Sequence, residues 1–241
     1  YFDENIKYDY IEEKNEFNII QTKPGSRAFF KGGLLKDVSI NFIGFNDKTI
    51  SKIPNYPIDL RGLTGCLSLI NLKTKNVKIQ SSNSNCEDTV NLINVDGSFN
   101  EIAIKNSLSD GLDVDFSRVK IENINISSSG NDCVDFSFGK YELKKLNLVD
   151  CGDKGLSIGE KSSVKLNKIT VKNSNTGIAS KDSSIANVDD VYLENIKTCV
   201  SAYNKKQEFY GGFLKVKKIE CKNYVKKIDV DNKSKIIIEN D

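Results

Sequence analysis

Six aspartates recur in the middle of the chain at related spacings, and their carboxylates are the groups most able to do chemistry. Oxygen-rich clusters suit a hard cation such as calcium, which takes about six to eight oxygen ligands. One interpretation is therefore a calcium site, and the carboxylates assigned to it are Asp88, Asp110, Asp113, Asp132 and Asp135. The alternative is structural, because aspartates at strand starts can cap turns through their own side chains.

Two lysines near these aspartates are candidate catalytic residues, or counter-charges if the aspartates are structural. Lys154 takes the position of Asp132 one repeat further along, and Lys181 lies roughly two repeats beyond Asp132. A lysine removes a proton efficiently at neutral pH only when its pKa is lowered. A neighbouring cation lowers that pKa, whereas a ladder of carboxylates alone raises it. Spacing alone does not distinguish Lys154 from Lys181 as the base.

Further polar and aromatic side chains at neighbouring repeat positions are candidates for substrate binding. They are Asp115, Glu160, Asp182, Tyr203, Lys205 and Lys206. An aromatic ring beside lysines suits stacking on sugar rings and binding of anionic groups. The alternative is that the aromatic residues of segment 203–210 cover an open end of the fold.

The elements that position these residues follow a 22-residue repeat. Octets starting at 87, 109, 131, 153, 175 and 197 read EDTVNLIN, SDGLDVDF, NDCVDFSF, DKGLSIGE, NTGIASKD and KTCVSAYN. Their fourth residue is always apolar and their sixth is apolar or small, which is the two-residue period of a β-strand. A helix would show a period of about 3.6 residues. The repeat unit is therefore predicted to be all-β.

In-register stacking of such strands predicts a single right-handed parallel β-helix, an all-β solenoid with 22-residue coils. Leucine-rich repeats have similar periods, but their Leu-x-x-Leu-x-Leu frame is absent from this chain. Residues 1–30 show no matching period and are predicted to form the N-terminal cap that a solenoid needs. Residues 31–241 are assigned to the β-helix, with a C-terminal cap from about residue 205.

Two motifs one coil apart resemble those of β-helix polysaccharide-active enzymes. Polygalacturonase-type hydrolases carry a similar Asp-Gly-x-Asp, then Asp-Asp-Cys, then a Gly-His-Gly-Leu-Ser-Ile-Gly-like segment. The matching segments here are Asp-Gly-Leu-Asp at 110–113, Asn-Asp-Cys at 131–133 and Asp-Lys-Gly-Leu-Ser-Ile-Gly at 153–159. Lys154 stands in place of the histidine and Asn131 in place of one carboxylate. A glycosidase needs two suitably placed carboxyl groups, so these replacements bear directly on the chemistry.

The chain is also similar to family 9 polysaccharide lyases, in which an Asp cluster from adjacent coils binds calcium and a lysine acts as base. Asp110, Asp113, Asp132 and Asp135 match that cluster in type. The resemblance implies β-elimination, in which calcium neutralises a uronate carboxylate and a lysine removes the adjacent C5 proton. The Asp-Lys-Gly-x-Ser-x-Gly-Glu pattern further resembles bacterial β-helix proteins of no assigned activity.

The six cysteines are predicted to be mostly free, buried thiols that fill narrow slots in the core. Equivalent residues of adjacent coils lie about 4.8 Å apart, so cysteines several coils apart cannot be bridged. Cys133 and Cys199 are three coils apart, and Cys86 and Cys151 are separated by nearly the same length of chain. Only the spacing of Cys199 and Cys221, one coil, is compatible with a disulfide.

Composition excludes several classes of function. The 35 basic residues nearly balance the 33 acidic ones, and no nucleic-acid-binding module is recognisable, so no nucleic acid partner is expected. No apolar stretch approaches the roughly 18 residues of a membrane span. Histidine is absent and no Cys-x-x-Cys occurs, so zinc is excluded, and no organic cofactor is expected. Because the chain starts with Tyr1 and has no methionine, we expect a processed or excised part of a longer protein with other domains.

Two classes of function remain. One is a β-helix that acts on or binds a polysaccharide, an acidic one by the lyase resemblance, with calcium-assisted β-elimination of a uronate polymer as the most specific form. The other is a non-catalytic structural, adhesive or carbohydrate-binding solenoid within a longer protein. Fold-level analogy predicts an extracellular, periplasmic or cell-surface location.

Overall fold

The computed structural model describes residues 1–45 and 58–240. Their elements, in chain order, are β1 (Ile6–Ile11), a 3-10 turn (Glu12–Lys14), β2 (Glu16–Gln21), β3 (Ala28–Lys31), β4 (Leu34–Lys36), β5 (Ser39–Ile43), β6 (Gly65–Ile70), β7 (Lys73–Ser84), β8 (Asp88–Ile93), β9 (Asp96–Ser107), β10 (Asp110–Asp115), β11 (Arg118–Ser129), β12 (Val134–Ser137), β13 (Lys140–Ile158), β14 (Ser163–Lys181), β15 (Ile185–Tyr203), β16 (Phe213–Val230) and β17 (Lys235–Asn240). In this part of the chain no helix has the length and hydropathy needed to cross a bilayer.

The strands stack in parallel, coil upon coil, so the predicted all-β solenoid is confirmed. Residues with the same place in the repeat are neighbours on adjacent coils, and one such column is Leu67, Val90, Leu112, Val134, Leu156, Ile178 and Val200. All seven side chains are fully buried. Alternation along each strand therefore sends one set of side chains to the core and the other to an outer face.

The corners between strands use residues in the left-handed backbone region, which asparagine adopts more readily than most residues. At one corner, Asn71 and Asn94 have φ of 50° and 52°. Their side chains form a ladder in which Asn94 Nδ2 donates to Asn71 Oδ1 at 2.8 Å. A second corner repeats the arrangement, with Asn106 donating to Asn83 at 2.9 Å. These ladders fix the register between coils.

The two ends differ in construction. At the N-terminus, β1 pairs antiparallel with β2, and β2 pairs in parallel with β5. At the C-terminus, β16 stacks in parallel on β15, and β17 stacks on the start of β16. Ile185 at the start of β15 pairs with Phe213, so the step to the next coil is longer here than in the regular repeat. Residues 204–212 are thus an insertion between two coils, which we call the inserted loop.

The prediction of mostly free cysteines is wrong. All six cysteines form disulfides, which link Cys66 to Cys86, Cys133 to Cys151 and Cys199 to Cys221. The error came from comparing cysteines within one column only. The first two bridges have sequence separations of 20 and 18. A segment of that length nearly completes one coil, so its two ends meet across a corner.

Candidate functional site

The outward side chains of β8, β10 and β12, with the residues just before β12, form one carboxylate-rich surface. We call this surface the acidic face, and its carboxylates are Asp88, Asp110, Asp113, Asp115, Asp132 and Asp135. Asp113 is the direct neighbour of Asp135 on the next coil and of Asn91 on the preceding coil. The repeat thus brings together all the residues predicted as metal ligands, and Asp115 with them.

Asp110 and Asp132 each bind the coil that follows. Asp110 Oδ1 accepts hydrogen bonds from the Asp132 backbone N–H and from Asn131 Nδ2, both at 2.8 Å. Asp132 Oδ1 accepts the Lys154 backbone N–H at 2.9 Å. One oxygen of each carboxylate therefore joins one coil to the next, whereas the structural interpretation expected it to cap its own turn. The second oxygen of each group is left for other interactions.

Burial and mutual repulsion raise the proton affinity of the acidic face. Burial, reinforced by neighbouring carboxylates, raises the pKa of Asp88 to about 8 and that of Asp110 to about 7. Burial and the nearby Asp88 also raise the pKa of Asp113 well above its usual range. The pKa of Asp115 is raised mainly by burial. Asp88 and Asp110 therefore retain protons near neutral pH and can donate them.

Several oxygen atoms of this region are buried without a partner among the described residues. They are Oδ2 of Asp88, Oδ1 of Asn91 and Oδ1 of Asp135. Oxygen donors of this kind are the type that calcium prefers. However, within residues 1–45 and 58–240, no three His, Cys, Asp or Glu side chains are grouped closely enough to hold a metal ion. The donor type fits calcium and the present arrangement is not a preformed cage, so calcium stays a prediction.

Both candidate base lysines form ion pairs with aspartates. Lys154 Nζ lies 3.4 Å from Asp132 Oδ1 and also contacts Asp153. Burial alone would lower the pKa of Lys154, but these two carboxylates outweigh it and the pKa lies above its usual value. Lys181 is buried, and its Nζ lies 3.5 Å from Asp135 Oδ2. Lys154 is therefore a protonated partner for Asp132 in this arrangement.

The inserted loop is held by two buried acidic residues, Asp182 and Glu160. Asp182 is fully buried, and its Oδ1 accepts the backbone N–H groups of Lys205 and Lys206 at 2.7 and 2.8 Å. Lys206 Nζ in turn binds Glu160 Oε1 at 2.6 Å, and Ser137 donates to Glu160 Oε2 at 2.6 Å. Burial alone would raise the pKa of Glu160, but these two hydrogen bonds hold it below its usual range. Asp182 is thus placed to anchor the loop.

The other predicted substrate-binding residues lie around this loop. Tyr203 is half-buried beside Lys181 on the adjacent coil, and burial raises the pKa of its hydroxyl. Lys205 is exposed, and the pairing of Lys206 with Glu160 leaves it exposed as well. Asp115 is half-buried on the acidic face. Of the predicted substrate-binding residues, Asp115, Tyr203 and the two lysines are therefore open enough to solvent to meet a ligand directly.

Sequence analysis missed the aromatic residues that border the acidic face. Phe116 directly follows Asp115, Phe138 follows Ser137, and the two rings stack with centroids 4.9 Å apart. The signal was present in the sequence, because these residues are the eighth of two successive octets and so lie one repeat apart. The inserted loop adds Phe209, whose ring meets Phe138 edge-on at 6.0 Å.

Comparison with known proteins does not assign the chain to a family. No family model matches the chain, and no curated protein is significantly similar to it. Three solved structures match, each described as a catalytic domain of a GH87 alpha-1,3-glucanase in complex with nigerose, two of them as variants. Their TM-scores are 0.40, 0.35 and 0.34, at 12%, 11% and 11% identity. Each match covers 93% of this chain and 56% of the solved one, so the chain spans about half the length of those structures. A likeness this distant carries no argument about what this chain does.

Proposed function

We propose that this chain is a polysaccharide-active β-helix that binds a glycan along the acidic face and cleaves a glycosidic bond there with carboxyl groups. The proposal depends above all on the placement of Asp110 and Asp132 on adjacent coils of one face, with Lys154 paired to the second carboxylate. Cleavage of a glycosidic bond needs one carboxyl group that donates a proton and one that is ionised.

The two carboxyl groups have different environments that suit these two roles. Asp110 uses Oδ1 for two hydrogen bonds, is half-buried, and has no cation in contact among the described residues. It is therefore the proton donor, and its raised pKa is consistent with that role. Burial raises the pKa of Asp132 as well, but the ammonium of Lys154 lies against this carboxyl group and favours its ionised form. Asp132 is therefore the base or nucleophile.

The charge of the acidic face bears on the choice of substrate. The lysines that lie against the acidic face, Lys154 and Lys181, are already paired with Asp132 and Asp135, so the face offers little positive charge to an anionic polymer unless a metal cation lies between them. If the carboxyl groups hydrolyse the glycan without a metal, the expected substrate is therefore a neutral glycan. Aromatic rings at the border, Phe116 and Phe138, suit the apolar faces of sugar rings. Tyr203, just before the inserted loop, and Lys205 and Lys206 within it would flank the glycan on the other side.

A second candidate is calcium-assisted β-elimination of a uronate polymer. It is favoured by the unpartnered buried oxygens of Asp88 and Asp135, which a cation would satisfy. Bound calcium would supply the positive charge that neutralises the uronate carboxylate. In this scheme Lys154 or Lys181 removes the proton. The raised pKa of Lys154 next to Asp132 and Asp153 opposes that role as long as no cation is bound.

A non-catalytic role, as a structural, adhesive or carbohydrate-binding solenoid, is the third outcome. It predicts that the acidic face is satisfied by its own lysines and backbone amides, as Asp110, Asp132 and Asp182 are in part. The exposed aromatic stack beside the carboxylates argues for a ligand instead. The location belongs to the same proposal, because three disulfides favour an extracellular, periplasmic or cell-surface compartment.

The chemistry of the product separates these candidates. The full chain is incubated with neutral glucans and with uronate polymers, each in calcium and in a chelator. Hydrolysis predicts new reducing ends from a neutral glycan in both conditions, with no unsaturated sugar. Elimination predicts an ultraviolet-absorbing unsaturated product from a uronate polymer that disappears with the chelator. Binding without either product would support the non-catalytic alternative.

A further inference from the structure

Two phenylalanines are exposed at one corner of the solenoid, on successive coils. Phe116 is 56% exposed and Phe138 is 40% exposed, although both side chains are large and apolar. Their rings stack almost in parallel, with an interplanar angle of 8° and centroids 4.9 Å apart. A contiguous exposed apolar surface of this kind marks an interaction site more often than a single exposed residue does.

The backbone at this corner disfavours phenylalanine. Both residues have φ of 51°, in the left-handed region that a bulky side chain seldom adopts. Asn71 and Asn94 occupy the same corner on the two preceding coils, with φ of 50° and 52°. Asparagine and aspartate are the residue types suited to this conformation. At two successive coils the corner therefore carries phenylalanine against the preference of its own backbone.

The two rings of the stack differ in how far they are covered. Phe138 is covered on one side by Phe116 and is approached edge-on by Phe209 of the inserted loop at 6.0 Å. Phe209 itself lies 5.7 Å from Lys161 Nζ, a cation–π contact that holds it in place. In the described part of the chain, Phe116 has no aromatic neighbour besides Phe138. Phe116 is also the more exposed of the two, at 56% against 40%, so the more accessible ring is that of Phe116.

Polar groups surround this ring. Phe116 directly follows Asp115 of the acidic face, and its backbone N–H binds the Ser137 carbonyl at 3.0 Å. The preceding coil places Asn94 at the same corner, exposed, with its amide nitrogen already donated to Asn71. Phe116, at this corner on the next coil, has no side-chain donor, so the ladder ends and the Oδ1 atom of Asn94 has no ladder partner. An apolar plate edged by hydrogen-bonding groups matches a sugar ring, which has C–H faces and hydroxyl edges.

We propose that Phe116, supported from behind by Phe138, is a binding platform for one pyranose ring with an unsubstituted C–H face. Asn94 would accept a hydrogen bond from a hydroxyl of that ring. This inference rests on the proposed function, because it places a sugar unit of the same glycan next to Asp115. These residues bind the sugar and take no part in bond cleavage.

Replacement of Phe116 by the residue type natural to the corner tests the proposal without risking the fold. The variant Phe116→Asn keeps a residue suited to φ of 51°, so its melting temperature should equal or exceed that of the parent chain. In calorimetric titrations with neutral and uronate hexasaccharides, Phe116→Asn should bind about tenfold more weakly than the parent chain. The variant Phe116→Tyr, which keeps the ring, should bind like the parent. Tyr224→Asn, which removes an exposed aromatic from the C-terminal coil, is the matched control.

The outcomes separate this inference from the proposed function. An affinity of Phe116→Asn within twofold of the parent, or no binding of any hexasaccharide by the parent, overturns the platform. Loss of binding in Phe116→Asn supports it even if Asp110→Asn still cleaves glycan, a result that would overturn only the proposed catalytic role. Loss of cleavage in Asp110→Asn with unchanged binding in Phe116→Asn would support the proposed catalytic role and overturn the platform.

Discussion

Asp132 accepts two hydrogen bonds from Lys154, one from the backbone N–H at 2.9 Å and one from the ammonium at 3.4 Å. The two residues occupy the same position of successive coils, so this double contact joins one coil to the next. The contact also affects the charge of the acidic face, because Lys154 neutralises Asp132. The backbone N–H of Asp132 in turn binds Asp110. The pair therefore links the stability of the solenoid to its proposed chemistry.

Removing one member of this pair should destabilise the chain. In Lys154→Ala, the carboxylate of Asp132, whose side chain is 4% exposed, loses its cation. Breaking a buried pair in this way lowers the free energy of unfolding by about 3 kcal/mol. Unfolding of parent and variant in denaturant measures this difference. The double variant Asp132→Asn with Lys154→Met should recover part of the loss. Equal stability of parent and Lys154→Ala would show that the pair contributes nothing.

The acidic face should make the chain more stable in mild acid than at slightly alkaline pH. The folded-state pKa values of Asp88 and Asp110, about 8 and about 7, lie above the value of 3.8 for the free side chain. The folded chain therefore holds more protons than the unfolded chain between about pH 4 and pH 8, and stability falls as pH rises through this window. Thermal unfolding at pH 5 and pH 8 measures the effect.

A neutral isostere checks the assignment of this pH dependence. Asp88→Asn cannot ionise, so its melting temperature should change less between pH 5 and pH 8 than that of the parent. Asp96→Asn, which alters an exposed carboxylate paired with Arg118, should keep the parental dependence. A parental slope in Asp88→Asn would contradict the burial of a protonated carboxyl at that position.

The inserted loop should depend on Asp182. In Asp182→Ala, the backbone N–H groups of Lys205 and Lys206 lose their acceptor. Trypsin should then cleave after these lysines at least several times faster than in the parent chain, because local opening becomes easier. Asp189→Ala removes an exposed carboxylate of β15 that lies 4.0 Å from Lys217, and serves as control. Unchanged cleavage in Asp182→Ala would mean that other contacts hold the loop.

The disulfides should stabilise the chain by restricting the unfolded state. The Cys133–Cys151 bridge has a sequence separation of 18, for which chain-entropy arguments give about 3 kcal/mol. The double variant Cys133→Ser with Cys151→Ser should lose stability of that order.

Mass spectrometry after alkylation of the unfolded, unreduced parent should find no modified cysteine. Modification of any cysteine under those conditions would contradict the pairing.

The repeat was predictable because stacking makes residues one coil apart equivalent. A single period placed Leu112 over Val134 and brought the aspartates of three coils to one face. Every coil must bury the same columns, so the pattern is repeated often enough to be recognised in the sequence. The two-residue alternation then separates core positions from outward ones.

The remaining features depend on contacts that a period does not describe. Cys133 meets Cys151 across a corner, which a comparison along columns cannot detect. The inserted loop is held in place because buried Asp182 binds its backbone, and no spacing rule predicts that. Phe116 and Phe138 have the repeat spacing, but their exposure follows from the corner geometry. The protonation of the face depends on burial, which is known only from the fold.

The most direct test of the proposed catalysis compares glycan cleavage by the parent chain, Asp110→Asn and Asp96→Asn. The introduced amide keeps an oxygen that can accept from Asp132 and Asn131 and loses only the acidic proton, so Asp110→Asn should fold normally. We predict new reducing ends from a neutral glycan with the parent and Asp96→Asn, and a loss of at least about a hundredfold in rate with Asp110→Asn. Equal rates in Asp110→Asn and the parent, or no cleavage of any glycan by the parent, would contradict the proposal.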